Sequence, residues 1–427
     1  MKVGIYTLGC KVNSYESEYV ANLFEKSGYE LVNFNEVADI YIINTCTVTN
    51  NSDSKSRKII REAIRKNPNA CIVAMGCFIE SSKDNLIEGI NVIIGNKDKS
   101  KVVELVEEYL KTHKDINHIE ELDNDFEDME ITSFGSRARA FVKIQDGCEN
   151  YCTYCIIPYV RGKCRSKSLD KVIDEITSLV NNGYKEIVLT GIHTGSYGID
   201  LNVSFAKCLE EIVKIPDLYR LRISSIEVTE LNSDVLNVLK NNKIICNHLH
   251  IPLQAGSNEI LKLMNRKYDL DFFFKKIAEI RNIRPDIAIS TDIIVGFPGE
   301  DEELFKETIK NSKKLKFSKI HVFPYSERRN TPSAKFKDKV NENAKKDRVK
   351  RLISLSEELE KEYMNSFIGK DLEVLIEENK DNYSYGHTSN YLYVKIPGTY
   401  NKEDIINVKI TDLEYPYCIG LEKVSVK

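Results

Sequence analysis

Short apolar runs alternate with amphipathic helical stretches, twice over, and this constrains the chain more than any other feature. Before residue 95 the runs are Val3–Leu8, Ile40–Asn44, Ile72–Met75 and Val92–Ile94. Each is too short for a helix and free of charged residues, as suits a strand covered on both faces of a parallel sheet. Helical patterns over 15–27, 54–66 and 100–112 follow, the first ending at Gly28 and the second before Pro68. Asn13 followed by Glu16 predicts a capping box for the first helix. The pattern is that of a small doubly wound α/β domain.

From about residue 138 the pattern restarts. Runs fall at Ala140–Ile144, Glu186–Thr190, Leu221–Ile226, His248–Leu253, Ala288–Val295 and Ile320–Tyr325, with helical patterns such as 168–182 and 302–314 between them. Six alternations predict a parallel part-barrel, short of the eight of a closed TIM barrel. Residues 341–366 read as a connecting helix, basic and then acidic. After Gly369 the period drops to two, with runs at Leu372–Glu377, Tyr391–Ile396, Val408–Leu413 and Ile419–Val424 and turns at NKDNYSYG and PGTYNKED. Short strands over about 60 residues predict a small OB-like β-barrel. The expected division is 1–112, an acidic linker 113–133, 134–365 and 366–427. At roughly 150 residues per domain, 427 residues suit about three domains.

No run is long and apolar enough to cross a membrane, and the N-terminus lacks the apolar core of a signal peptide. A cytoplasmic protein is expected. The net charge of −4 does not announce a nucleic-acid binder, but it is unevenly spread. DINHIEELDNDFEDME (115–130) holds eight acids and no Lys or Arg, so the rest of the chain carries +4. KSRKIIREAIRK (55–66) has six basic residues against one acid, and KFKDKVNENAKKDRVKR (335–351) eight against three. On a helix Arg57, Arg61 and Arg65 would share one face. A solvated helix face explains either segment alone; the two together suggest contact with phosphates.

Eleven cysteines in a reducing compartment point to metal or catalysis rather than disulfides. CENYCTYC (148–155) places Cys148, Cys152 and Cys155 just past an expected strand, where parallel barrels keep their functional loops. Three thiolates this close need a metal or cluster to neutralise them. A zinc site with a distant fourth ligand is the bland alternative, but neither a second C-x2-C knuckle nor a nearby His accompanies it. A second set is Cys10, Cys46 and Cys77, in TLGC, INTC and MGC, each directly after a strand of the first domain. The C-terminal ends of parallel strands line one crevice, so the three can converge. Three separately buried cysteines are the alternative. Cys71, Cys164, Cys208, Cys246 and Cys418 fit neither set, and Cys71 reads as core.

The C-x3-C-x2-C spacing with Tyr154 before the third Cys, at the first strand of a part-barrel, resembles the radical S-adenosylmethionine (SAM) superfamily. LTGIHTGSYG (189–198) and DIIVGFPGE (292–300) sit where that family contacts the methionine and adenine ends of SAM. The resemblance implies cofactor contacts from Tyr154, Gly191, His193, Gly195, Arg222, Ser224 and Gly296. With LGCKVNSYESE and NTC-x-V added, the whole chain resembles the radical SAM methylthiotransferase family. That family has an N-terminal cluster domain, a radical SAM core and a C-terminal TRAM barrel. KIQDGCENYCTYCIIPYVRG, HLHIPLQAGS and HVFPYSERRNTPSA look most like its branch acting on N6-threonylcarbamoyladenosine of tRNA.

That resemblance implies two 4Fe–4S clusters. Cys148, Cys152 and Cys155 would hold the one whose open iron binds SAM and cleaves it to a 5′-deoxyadenosyl radical. Cys10, Cys46 and Cys77 would hold an auxiliary cluster that carries the sulfur. The reaction replaces C–H by C–S–CH3 at C2 of the modified adenosine at position 37. That hydrogen is not acidic, so no side-chain general base is named. The expected partners are the tRNA anticodon loop, where a base is cheaply extruded, and an external flavodoxin- or ferredoxin-like electron donor. The same chemistry on N6-isopentenyladenosine or a ribosomal-protein side chain is the near alternative; a two-cluster electron-transfer protein is the distant one. His248 and His250 alternate with apolar residues and could line the barrel interior. The C-terminal segment resists the scheme: it offers seven Tyr for stacking but seven Lys and no Arg against ten acids.

Overall fold

Alternation of the apolar runs is explained by two covered sheet faces in the first unit of the computed structural model, which describes residues 1–83, 87–135 and 137–423. Six parallel strands stand in the order Glu30–Val32, Lys2–Thr7, Ile40–Thr45, Cys71–Gly76, Val92–Ile94, Ile116–His118. Successive residues of Ile40–Thr45 and Cys71–Gly76 point to opposite cores: Ile40, Ile42, Cys71 and Val73 to one, Tyr41, Ile43, Ile72 and Ala74 to the other. The chain turns back beside Lys2–Thr7, which has Glu30–Val32 on one side and Ile40–Thr45 on the other. Doubly wound sheets bind ligands at such a switch point.

The two outermost strands are three residues each and escape the apolar-run criterion. One of them, Ile116–His118, lies inside the stretch expected to be linker. The acidic segment is laid down rather than loose. Lys97 pairs with Asp123 at 2.6 Å, and Met129, Ile131 and Phe134 enter the core of the next unit.

The second unit has the six parallel strands expected: Arg139–Asp146, Glu186–Gly191, Arg220–Ile223, His248–His250, Ala288–Val295 and Lys319–Pro324. They form two sheets bridged at Leu221–Ile245 and Ser225–His250. Among the described residues no pairing joins the first strand to the sixth, so the barrel is open on one side. Helix Glu342–Asn365 packs on the last strand, where the Ser356 hydroxyl accepts from Ile320 N and donates to Ile320 O.

The third unit is a closed five-stranded barrel: Asp371–Lys380, Tyr383–Thr388, Tyr393–Pro397, Tyr417–Glu422 and Ile405–Glu414. The turn expected over NKDNYSYG is shorter than that. Asp381 and Asn382, both at positive φ, make a two-residue hairpin, and Tyr383–Thr388 is a strand. Val424, the end of the last expected run, lies outside the described residues. Arginines at the starts of the core strands dock this barrel. Arg139 pairs with Glu377 at 3.1 Å, and Arg220 donates to Glu373 O and His387 O. No helix of the described residues is long and apolar enough to cross a membrane.

Candidate functional site

Cys10, Cys46 and Cys77 converge, each thiol close enough to another to act on its charge. All three leave the C-terminal end of a strand: Cys10 caps helix Lys11–Lys26, Cys46 follows Ile40–Thr45, and Cys77 opens helix Cys77–Ser81. Asn13 binds this corner together. Its amide donates to Asn44 Oδ1 and Thr45 O, both at 3.1 Å, and its Oδ1 accepts from Cys10 Sγ at 3.2 Å. The capping box expected from Asn13 and Glu16 is therefore absent. The helix begins at Lys11, so both residues lie inside it, with their side chains turned to the cysteine corner.

Glu16 is fully buried and faces three cations: Arg161 at 2.9 Å, Lys143 at 3.0 Å and Lys99 at 3.7 Å. Burial works against its charge, but Arg161, Lys99 and Lys143 outweigh it and hold the carboxyl far below its usual range. Arg161 also meets Asp146 at 3.1 Å and donates from Nε to Cys77 Sγ at 3.2 Å. Lys99 and Glu16 come from the first unit; Lys143, Asp146 and Arg161 from the second. Of these charges the sequence reading named only Glu16, and as a helix cap rather than as a buried ion. The available signal was Lys143, a cation inside the apolar strand FVKI.

The second cysteine set follows Arg139–Asp146 on a loop that begins at Gly147. That residue has φ +75°, and a Cβ there would fall 1.8 Å from Lys163 O. Cys148 N donates to Gly162 O at 3.0 Å, and Cys155 N to Cys152 O at 2.9 Å. Arg266 donates to Cys152 Sγ at 3.2 Å and pairs with Glu227. Half-buried Tyr154 packs against the core with its ring edge-on to Phe297. Cys77, Ile156 and Val160 form one small apolar cluster, so the first set packs against the segment that directly follows Cys155.

Among the described residues no three His, Cys, Asp or Glu side chains already stand as a metal cage, yet neighbouring thiols in each set act on one another. Burial pushes the Cys10, Cys46 and Cys152 thiols up, and Cys155 up to about 12, and neighbouring thiols add to the shift in each case. Three such sulfurs stay deprotonated together only around a metal centre.

The glycine segment after Glu186–Gly191 curls against the cysteine loop. A Cβ on Gly191 would meet Gln145 Oε1 at 3.0 Å, and one on Gly195 would meet Glu230 Oε2 at 2.1 Å. His193 lies 2.6 Å from Glu230 and 3.2 Å from Asn150. Burial opposes its charge, yet hydrogen bonds to Cys148, Cys164 and Glu230 push it up to about 12. Ser224 Oγ is 3.2 Å from Thr194 Oγ1, beside the same segment. Two other expected cofactor contacts, Arg222 and Gly296, have protein neighbours of their own. Arg222 turns to the third unit: its guanidinium holds Glu186 at 2.6 Å, donates to Thr388 O and Ser389 O, and lies 4.7 Å over the Tyr391 ring. Gly296 makes room for the connecting helix, since a Cβ there would fall 2.1 Å from Lys345 Cγ.

A cleft of about 1350 Å³ opens beside the two sets, walled by Phe78 and Ile156. Arg57, Arg61 and Arg65 line it from one face of helix Asn50–Lys66, and Arg328 and Arg329 from the loop after the last core strand. Tyr159, half exposed, stands at its edge. Arg61, Arg65 and Arg329 are exposed, and among the described residues no carboxylate pairs with Arg57, Arg61, Arg65 or Arg329. The other basic segment differs. Arg348 is buried on Glu300, Arg351 pairs with Glu302 and Asp347, Lys345 with Glu342 and Lys339 with Glu327. Those charges hold the helix rather than face a ligand.

Residues 2–95 match the family profile described as "Uncharacterized protein family UPF0004", and residues 142–311 match that of the radical SAM superfamily. The chain is 45% identical to threonylcarbamoyladenosine tRNA methylthiotransferase MtaB of Bacillus subtilis (strain 168), over 98% of this chain and 95% of that protein. It is 37% identical to the protein of the same name from Aquifex aeolicus, over 96% and 100%. It is 36% identical to tRNA-2-methylthio-N(6)-dimethylallyladenosine synthase of Acetivibrio thermocellus, over 87% and 79%. Among solved structures, the radical SAM methyltransferase TsrM from Kitasatospora setae aligns with a TM-score of 0.57 at 15% identity, over 78% of this chain and 76% of that one. At that identity the likeness is one of fold.

Proposed function

Because the chain belongs to the radical SAM methylthiotransferase family, we propose that it methylthiolates C2 of N6-threonylcarbamoyladenosine beside the anticodon of tRNA. Near full-length likeness to relatives bearing that activity in their names supports the substrate. The observation that supports the chemistry is the packing of the first three-cysteine set, through Cys77, on Ile156 and Val160 of the segment that follows Cys155.

Cys148, Cys152 and Cys155 would hold one 4Fe–4S cluster with SAM at its open iron, and Cys10, Cys46 and Cys77 the other. So loaded, the site has a carbon radical able to break an unactivated C–H bond and a sulfur to put in its place. The remaining work belongs to the protein. Gly191 and Gly195 let their segment close onto Gln145 and Glu230, and His193, Ser224 and Tyr154 would hold SAM beside it. Arg161 and Arg266 each donate to a cysteine sulfur and fix its orientation. Arg57, Arg61, Arg65 and Arg329 grip RNA phosphates, and Tyr159 offers a ring to an unstacked base. The extruded adenosine then approaches both cysteine sets. An external one-electron donor completes the cycle.

Nucleoside mass spectrometry of tRNA from cells with and without the gene tests the reading. Loss of 2-methylthio-N6-threonylcarbamoyladenosine with build-up of its precursor is expected. Loss of the isopentenyl analogue instead would overturn the substrate and keep the chemistry. No change in any methylthio nucleoside would overturn the RNA substrate altogether.

A further inference from the structure

A second cavity, of about 430 Å³, lies where the three units meet. Lys11 reaches it from the first unit, His248, His250, Ser290 and His321 from the core, and Tyr391 from the C-terminal barrel. Most of this lining is apolar, and its polar part is rich in donors, with Glu360 the one carboxylate among the lining residues. The carboxylates nearby are already engaged: Asp292 by His250 at 3.2 Å, Glu186 by Arg222, Glu377 by Arg139 and His387, Glu360 by Lys319 and Tyr415. Among the described residues no carboxylate pairs with Lys11, whose side chain is open to the cavity. His248 is 8% exposed and stacks on Tyr391 with ring centres 4.7 Å apart. Its Nε2 bonds Ser290 Oγ at 3.0 Å, while its buried Nδ1 has no partner. A buried polar nitrogen without a partner costs about 1–3 kcal/mol unless a ligand satisfies it.

The position of Lys11 adds a constraint. It is the residue after Cys10, so the backbone ties its ammonium to the cysteine corner within the length of one lysine side chain. On a purine, C2 and the N6 substituent lie on either side of N1. A base with C2 turned to Cys10, Cys46 and Cys77 projects its N6 arm away from them. In threonylcarbamoyladenosine that arm ends in a carboxylate; in an isopentenyl base it is wholly apolar.

We propose that this cavity receives the threonyl carboxylate of the substrate base, with Lys11 as its counter-charge and His248 as a second donor. Lys11 is thereby a specificity-determining residue. An apolar arm in the same place strands the ammonium and the ring nitrogen without partners, which is how a polar pocket rejects an analogue. The proposal rests on the substrate reading above.

The test uses the cluster-loaded enzyme and anticodon stem-loop RNAs carrying N6-threonylcarbamoyladenosine, its methyl ester, or N6-isopentenyladenosine. With wild type, esterification should lower kcat/KM about 100-fold, mostly through KM. Lys11→Met should lose a similar factor on the acid and little on the ester, with iron content and cluster EPR signals as in wild type. A wild type that treats acid and ester alike overturns the carboxylate pocket and leaves the substrate reading standing. A wild type that modifies only the isopentenyl RNA overturns both. Should Lys11→Met lose iron, the acid-to-ester ratio of the wild type alone decides.

Discussion

The Nε of Arg161 donates a 3.2 Å hydrogen bond to the Sγ of Cys77, across the junction of two separately folded sheets. The same guanidinium neutralises Glu16 and Asp146. Arg161→Gln should therefore destabilise the chain by about 3–5 kcal/mol, read by urea unfolding, because two buried carboxylates lose their shared partner. Arg161→Lys keeps the charge but cannot serve both acids and the sulfur at once. It should recover much of the stability, yet shift the reduction potential of the auxiliary centre. An unchanged potential would reduce Arg161 to a structural ion.

The two cysteine sets should separate two activities. Ala at Cys148, Cys152 or Cys155 is expected to abolish formation of 5′-deoxyadenosine from SAM. Ala at Cys10, Cys46 or Cys77 should leave that cleavage measurable and abolish methylthio transfer. Chromatography of the SAM products beside nucleoside mass spectrometry reads both.

Replacing Arg57, Arg61 and Arg65 together by Ala should weaken tRNA binding at low salt. The slope of log affinity against log salt should flatten by about 2–3, one released counterion per lost phosphate contact. An equal slope for the variant and wild type would move the RNA grip elsewhere.

Glu300 makes stability depend on pH. Burial raises its carboxyl from an ordinary 4.5 to about 7, more than Arg348 and the amides of Gly296 and Phe297 lower it. The folded chain thus keeps a proton that the unfolded chain has released. Across that window stability falls as pH rises, by about 3 kcal/mol from this group. Glu300→Gln should remove that slope, so the variant gains on wild type between pH 4.5 and 7 in denaturant titrations.

Gly147→Ala is expected to cost more than most substitutions in the cysteine loop. The new Cβ would meet Lys163 O at 1.8 Å with φ held at +75°. Loss of iron from the core set, with the fold otherwise retained by circular dichroism, is the expected outcome.

Much of this was legible because the relevant patterns are local. Ile40–Thr45 and Cys71–Gly76 announce buried strands by composition, and Cys46 and Cys77 are legible from their place at the strand ends. CENYCTYC carries its spacing within eight residues. What escaped is long-range. Glu16 and Arg161 are 145 residues apart, and nothing near either announces the other. Glu16 looked like a helix cap because an acid three residues after Asn is locally sufficient for one. Arg222 is a cofactor contact by resemblance alone; that it also holds Thr388 O, more than 160 residues later, has no local signal. Within the basic stretch 335–351, charge counts likewise do not show that Arg348 has Glu300 beneath it.

The junctions between the units differ in what they ask of heredity. Glu16, Lys99, Lys143, Asp146 and Arg161 meet through side chains alone, so each must be present for the others to be tolerable. Arg220 and Arg222 instead hold the C-terminal barrel largely through main-chain oxygens of His387, Thr388, Ser389 and Glu373, which any sequence supplies. A chimera that swaps the first sheet alone would inherit unmatched buried charges, whereas one that swaps the barrel would keep these main-chain anchors and need to match Glu377 and Tyr391.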